Sequence, residues 1–318
     1  MEKLLPKAKQ TEFHWLKLAK KRQLTKTIFF LEFEIPQSLQ VHFQFEAGQY
    51  VTLKYLSMGQ WNQNDFSMTS APYEGKITLG IKINYEKSSA KDLFENLKVG
   101  DLLEVSEPKG RFTLVSKPHE FRTIIGFAGG IGITPLLSHF KNILRNEPRT
   151  RLFLFYGNKT KEDIAFKNEL DELMNSHSDR LKIYYFYSQE KIGNGLFEGR
   201  LNEKKVALII NQILLLDDTD EESTIWDAVD EVLICGKGEM IKSVANACYH
   251  HGIPKRNIHF ELFEEFNEDI YPVEKDFPLI EDIEVDFKLL HHQYSSKLKN
   301  NKVRLLQQLL IQGFPVPY

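Results

Sequence analysis

Cysteine is nearly absent: the 318-residue chain has two, Cys235 and Cys248. Two thiols build neither a disulfide framework nor a cysteine-ligated metal site, so the chain is expected in a reducing, cytoplasmic setting and no metal ligands are assigned. Long apolar runs are missing too. No stretch is long enough to cross a membrane as a helix. The opening Met1-Glu-Lys-Leu-Leu-Pro-Lys7 has neither the apolar core nor the layout of a signal peptide. Charge of one sign is not in excess either: 41 Lys and Arg against 44 Asp and Glu leave a net charge of -3. That gives no footing for nucleic acid or an anionic membrane surface.

What is present is an ordinary globular composition, 42% hydrophobic and 27% charged, with length for two domains. The most informative stretch is Thr123–Pro135. Ile124, Ile125, Phe127 and Ala128 read as a buried strand, and glycines at 129, 130 and 132 form a turn that a ligand can approach closely. Thr134 reads as the N-cap of a helix with Pro135 at its first position, and Leu136, Leu137, Phe140, Ile143 and Leu144 recur at helical spacing. Strand, glycine turn and helix N-terminus together suit a phosphate. No Lys-Ser/Thr follows the last glycine, so this is not a P-loop, and the spacing is not G-x-G-x-x-G.

Residues 9–117 read as β-rich. Strands are expected over Phe13–Lys20, Thr27–Ile35, Gly48–Tyr55, Asp65–Ser70, Lys76–Ile83 and Val99–Ser106, with a short helix opened by a capping-box-like Ser89-Ala-Lys-Asp92. Short strands at regular spacing imply a small antiparallel barrel or sandwich. From about residue 118 the pattern changes. Strands over Thr123–Ala128, Arg151–Tyr156, Leu181–Tyr187, Glu231–Cys235 and Asn257–Leu262 alternate with helices over about 134–145, 162–176, 201–213 and 239–251. That alternation predicts a parallel sheet covered on both faces, with its ligand at the carboxyl ends of the strands. The acidic run Asp217–Glu222 lacks calcium-loop spacing and reads as a surface loop. The pairs His250-His251 and His291-His292 do not converge and read as surface residues.

Several of these residues, taken together, resemble the ferredoxin–NADP reductase family. Gly129–Pro135 resembles its pyrophosphate turn, and Cys235-Gly-Lys-Gly-Glu-Met240 its C-G-P-x-x-M turn, with Lys237 in place of Pro. Gly48–Tyr50, Ser67–Pro72, Pro108–Phe112 and Tyr156–Lys159 resemble further signatures, all in the family's order. The resemblance covers about residues 9–266. It implies a flavin-binding antiparallel barrel over 9–117, a Rossmann-like NAD(P)-binding α/β domain over 118–268 and a linker over 269–283. It also implies FAD and NAD(P)H as cofactors and the activity of an NAD(P)H-dependent flavoprotein reductase. Ser67, Cys235 and Glu261 are then the expected catalytic residues. Asn64, Phe66, Ser67, Ile81, Lys82, Ser88 and Ser89 would face the flavin. Gly129, Gly130, Gly132, Thr134, Asn158, Lys159, Gly236, Met240 and Phe263 would face the nucleotide. Lys159 favours NADPH.

One departure bears on flavin affinity. The family's Arg-x-Tyr-Ser is here Asn64-Asp-Phe66-Ser67. The missing Arg forfeits a charge-assisted phosphate contact worth roughly 1.5–3 kcal/mol, and Lys82 or Arg111 is expected to replace part of it. The segment 284–318 carries a second resemblance, to a plant-type [2Fe–2S] ferredoxin module. A strand from Glu284 and a helix over Val303–Gly313 lead into Phe314–Tyr318, and none of the four cysteines such a cluster needs lies there. The expectation is a reductase of the phenylacetyl-CoA-oxygenase type, cut off inside its third module and so without the cluster. Its partner would be an electron-acceptor protein, a ferredoxin or an oxygenase component. The alternative is an impaired nucleotide-binding or interaction module with weak flavin binding or none.

Overall fold

The computed structural model describes residues 12–83, 88–213, 228–272, 279–289, 292–300, 305–312 and 314. A larger compact unit runs over Glu12–Tyr271, and the chain from Pro272 onward belongs to a second. Among the described residues, no helix is long and apolar enough to cross a membrane.

The first half of the larger unit is antiparallel. Its strands are β1 (Phe13–Gln23), β2 (Ile28–Glu34), β3 (Tyr50–Ser57), β4 (Gln60–Ser67), β5 (Lys76–Lys82) and β6 (Leu102–Ser106), in the order β4-β3-β6-β1-β2-β5. The two outer strands meet at a bridge between Met68 and Leu79, which curls the sheet into a barrel. Period-two alternation sends Leu16, Leu18, Leu31, Phe33, Val51, Leu53, Leu79, Leu103 and Val105 into one interior. On β2 every residue except the last is buried, because Ile28 and Phe30 leave the barrel interior and pack in the core of the following layer. Helix α1 (Ser89–Asn96) closes one side of the barrel with Leu93.

The second half is a parallel sheet. Strands β7 (Arg122–Gly129), β8 (Thr150–Asn158), β9 (Leu181–Tyr187), β10 (Glu231–Gly236) and β11 (Ile258–Leu262) lie in the order β11-β10-β7-β8-β9. Helices α2 (Ile133–Asn146) and α3 (Lys167–Ser176) pack on the face shown by Ile124, Leu152 and Leu154. Helices α4 (Glu203–Ile213) and α5 (Gly238–His250) pack on the face shown by Ile125, Phe155 and Val232. Right-handed crossovers make the chain build outward from β7 to β9, then return to β7's other side with β10. Strand order therefore reverses between β7 and β10, and their carboxyl ends part to leave a crevice.

In the second unit, β12 (Glu281–Leu289) and β13 (His292–Asn300) form an antiparallel hairpin, and α6 (Leu305–Ile311) follows. Phe314 packs edge-on against Phe287 and Tyr294. The strand expected from Glu284 thus begins at Glu281, and β13 is a second strand that the sequence pattern did not suggest.

Several local expectations are corrected. β4 starts at Gln60 rather than Asp65, since Gln60–Asp65 has no apolar alternation and is held by backbone pairing to β3. Thr134 is not the helix cap. Gly132 occupies that position, and Thr134 lies inside α2 and donates to the Ile131 carbonyl at 3.0 Å. The cap of α1 is Ser88, not Ser89. Ser88 Oγ accepts from the Lys91 N–H at 3.2 Å, while Asp92 turns away to accept from the Met58 N–H. The acidic run Asp217–Glu222, His291 and residues 315–318 lie outside the described residues.

Candidate active site

The glycine turn sits at the crevice where strand order reverses. Pairing places Gly129 of β7 beside Gly157 of β8, and Cys235 of β10 beside Ala128, so the ends of three strands are level. Gly130 has φ +54°, the left-handed region that favours glycine. At Gly132 a Cβ would lie 2.2 Å from the Cys235 carbonyl oxygen, so only glycine lets the turn pass the end of β10. The Tyr156 hydroxyl donates to the Gly130 carbonyl at 2.9 Å and fixes the turn from β8. The first turn of α2 holds no acidic residue, which leaves its positive dipole end to an incoming anion.

Two further features mark this crevice. Asn158, at the end of β8, is buried, and neither Nδ2 nor Oδ1 has a hydrogen-bond partner. A native core rarely leaves both ends of an amide orphaned; a ligand would satisfy them. Three lysines also converge here from separate elements. Lys237 and Lys159 follow β10 and β8, on either side of the glycine turn, and Lys82 ends β5. Burial lowers the Lys82 ammonium from its ordinary value, and the charges of Lys159 and Lys237 lower it further. A phosphate reverses that repulsion.

The barrel is bolted to this site by α2. That helix is buried almost all round, so its polar side chains must find partners inside. Ser138 Oγ donates to the Ser70 carbonyl at 2.6 Å, and Lys141 Nζ to the Thr69 carbonyl at 3.0 Å. His139 lies 2.8 Å from the Phe112 carbonyl, and burial holds it neutral with a pKa lowered to about 4. These bonds fix the segment after β4 against the nucleotide crevice.

At that junction Ser67 Oγ donates to Glu261 Oε2 at 2.9 Å, across 194 positions of sequence. Burial pushes the Glu261 carboxyl up to about 7. The Ser67 bond opposes that rise and the charge of Asp65 adds to it. Cys235 pairs in register with Glu261. Its side chain is fully buried, and burial together with the Glu261 charge holds the thiol well above its ordinary range. The structure thus brings Ser67, Cys235 and Glu261 together, with Cys235 as a neutral, covered thiol. Met240 packs on Gly129 and Gly236, and Phe263 is exposed just beyond β11.

On the barrel's other flank, Tyr55 Oη lies 2.8 Å from Asn64 Oδ1 and 3.1 Å from Ser89 Oγ. Asn64 therefore faces the N-terminus of α1, with a phenol between them and the helix's free N–H groups nearby. Phe66 rests on the barrel core. Ile81 turns its side chain into that core and leaves its backbone for a ligand. Arg111 is exposed. Tyr55, Tyr50 and Lys237 were not among the predicted site residues. Tyr50 stands between Lys109 and the charges of Asp65 and Glu261; its place in Gly48–Tyr50 was the available signal.

Comparison with known proteins agrees with this geometry. Residues 15–114 match the oxidoreductase FAD-binding domain family, and residues 127–246 the oxidoreductase NAD-binding domain family. NADH-cytochrome b5 reductase 1 of Dictyostelium discoideum is 34% identical over 215 residues, 66% of this chain and 68% of that protein. The chain belongs to the ferredoxin–NADP reductase family. Another relative, a component of the 1,2-phenylacetyl-CoA epoxidase of Escherichia coli, is 29% identical over 257 residues, 80% of this chain and 68% of that one. The fold is shared with a ferredoxin NADP+ reductase from Neisseria gonorrhoeae solved with bound FAD and NADP. The TM-score is 0.64 at 18% identity, over 80% of this chain and all of that one. This family member is a flavin-dependent NAD(P)H oxidoreductase, and FAD and NAD(P)H are its cofactors.

Proposed function

We propose that the chain passes electrons from NAD(P)H through FAD to a ferredoxin-type iron–sulfur centre or carrier protein, as the reductase of an oxygenase system in the cytoplasm. The domain division at about residue 118 belongs to the same reading. The observation that carries it is the Ser67–Glu261 bond, which ties the barrel to the end of the nucleotide sheet at 2.9 Å. FAD, when bound, accepts a hydride and releases electrons singly. The protein's part is alignment and proton management. Gly129, Gly130, Gly132 and the start of α2 with Thr134 hold the pyrophosphate. Asn158 supplies its orphaned amide, and Gly236, Met240 and Phe263 line the nicotinamide end. Lys159, with Lys82 and Lys237, receives the phosphates and favours NADPH. Asn64, Phe66, Ser88, Ser89 and the backbone at Ile81 face the flavin. Ser67 and Glu261 share one proton at this junction and would present it to the bound flavin, and the neutral, covered Cys235 thiol would back the nicotinamide end.

The Escherichia coli epoxidase component, 29% identical, supports an oxygenase as the acceptor. The NADH-cytochrome b5 reductase relatives support a second reading, a haem carrier. An anaerobic absorbance titration of the FAD-loaded chain tests the core of the reading. NADPH is expected to bleach the flavin band faster than NADH, and reoxidation by a [2Fe–2S] ferredoxin is expected to outpace reoxidation by cytochrome b5. Failure of both nucleotides to bleach the band would overturn it.

A further inference from the structure

A second cluster of chemistry-bearing side chains lies in the barrel, and the redox reading does not use it. Glu12 precedes β1, and its carbonyl accepts from the Glu107 N–H at 3.2 Å. This extends the β1–β6 pairing, in which Phe13 opposes Ser106 and His14 opposes Val105. Glu12 and Glu107 therefore face each other across the strands, an arrangement in which like charges repel. His14 is two residues from Glu12 and projects from the same face. His42 arrives from the loop after β2. The two rings are 4.7 Å apart, and the ligand atoms of all four residues lie within 4.8 Å of one another.

A hydrogen bond between His42 Nδ1 and Glu107 Oε1, at 2.7 Å, accounts for two of the four. It does not account for His14. Its Nε2 is buried and has no hydrogen-bond partner, and it stands 3.6 Å from the same Glu107 oxygen, too far for one. An orphaned ring nitrogen beside two facing carboxylates is the arrangement a shared cation would satisfy.

We propose that Glu12, His14, His42 and Glu107 form a zinc site. Two imidazole nitrogens and two carboxylate oxygens are the donor types of a closed, four-coordinate zinc centre, and two carboxylates neutralise the dication. Calcium and magnesium prefer all-oxygen sets. Zn–N and Zn–O distances near 2.0–2.1 Å put tetrahedral ligand atoms about 3.3 Å apart, against separations of up to 4.8 Å among these four groups. The role is structural: the ion pins the outer ends of β1 and β6 to the loop that buries Phe43 in the barrel core.

The test uses the full chain, stripped with EDTA and reloaded with FAD. Equilibrium dialysis against buffered Zn2+ is expected to give one ion per chain at micromolar free metal, and Co2+ in its place to give the visible bands of a tetrahedral complex. Zinc is expected to raise the melting temperature. His14→Gln and His42→Ala are each expected to weaken binding at least about 10-fold and to abolish the thermal shift. Should His14→Gln not fold, His42→Ala carries the test, because that side chain is 41% exposed. No binding by the unaltered chain, or unchanged binding in the variants, would overturn the site. Cys235 and Cys248 are buried and offer no competing ligand.

Discussion

At the scale of single residues, the most informative group is Glu261. Its carboxyl, ordinarily near 4.5, is raised by burial to about 7. The folded chain therefore holds this proton more tightly than the unfolded chain does. The resulting stabilisation is complete below the ordinary carboxylate range and is lost as pH rises through about 7. Glu261→Gln keeps the shape and removes the titration. Urea midpoints followed from about pH 5 to about pH 8.5 should fall for the unaltered protein relative to the variant. Ser67→Ala removes the hydrogen bond that favours the ionised form, so its fall should come at higher pH. Parallel profiles for all three would mean that Glu261 is ionised throughout. Asn64 offers a gain instead of a loss. It faces the N-terminus of α1 through Tyr55 with no charge of its own. Asn64→Arg is expected to tighten FAD binding about 10-fold or more, read by quenching of flavin fluorescence; unchanged affinity would remove the phosphate from this flank. Neither Ser67 nor Glu261 could be joined by periodicity or local spacing, since 194 positions separate them. Resemblance alone made the pair legible. Tyr55, a phenol in an alternating strand, reads as core and gives no sign of its partners.

At the scale of elements, α2 does two jobs with one sequence. Its apolar residues fill the core under the parallel sheet, and Ser138, His139 and Lys141 reach the barrel. Lys141 is the most committed of them, with Thr69, Glu74 and Glu169 all within 3.2 Å. Lys141→Met is expected to cost about 2–3 kcal/mol in urea unfolding, because it strands two partly buried carboxylates and a carbonyl. A loss under about 0.5 kcal/mol would mean that water replaces the ammonium freely. Elements driven by burial were legible, the strands of the parallel sheet above all, because buried strands read as continuous apolar runs. Elements driven by backbone pairing were not. Gln60–Asp65 forms a strand through its partner β3, and β13 through β12. The Glu12, His14, His42 and Glu107 cluster was hidden for a related reason, as β1–β6 pairing and the loop after β2 collect residues spread from 12 to 107.

At the scale of the whole molecule, function follows from strand order. In β11-β10-β7-β8-β9 the adjacent strands β10 and β7 send their crossovers to opposite faces, and the crevice between their ends needs no dedicated loop. The glycine turn and the segment Cys235–Met240 fall there because of that order, and the barrel reaches the same crevice through Ser67. Every residue of the candidate site, and both faces of the parallel sheet, lie within Glu12–Tyr271. Tyr271 and Ile270 belong to that core, and Asn246 Nδ2 donates to the Ile270 carbonyl at 2.6 Å. A chain cut after Pro272 keeps both. It is expected to bind FAD with unchanged stoichiometry and to be bleached by NAD(P)H within about twofold of the full rate, while reduction of an iron–sulfur carrier slows. Stopped-flow absorbance separates the two steps. If the cut abolishes bleaching as well, then the residues after Pro272 are needed for the flavin reaction itself. If carrier reduction is untouched, the acceptor docks on the larger unit alone.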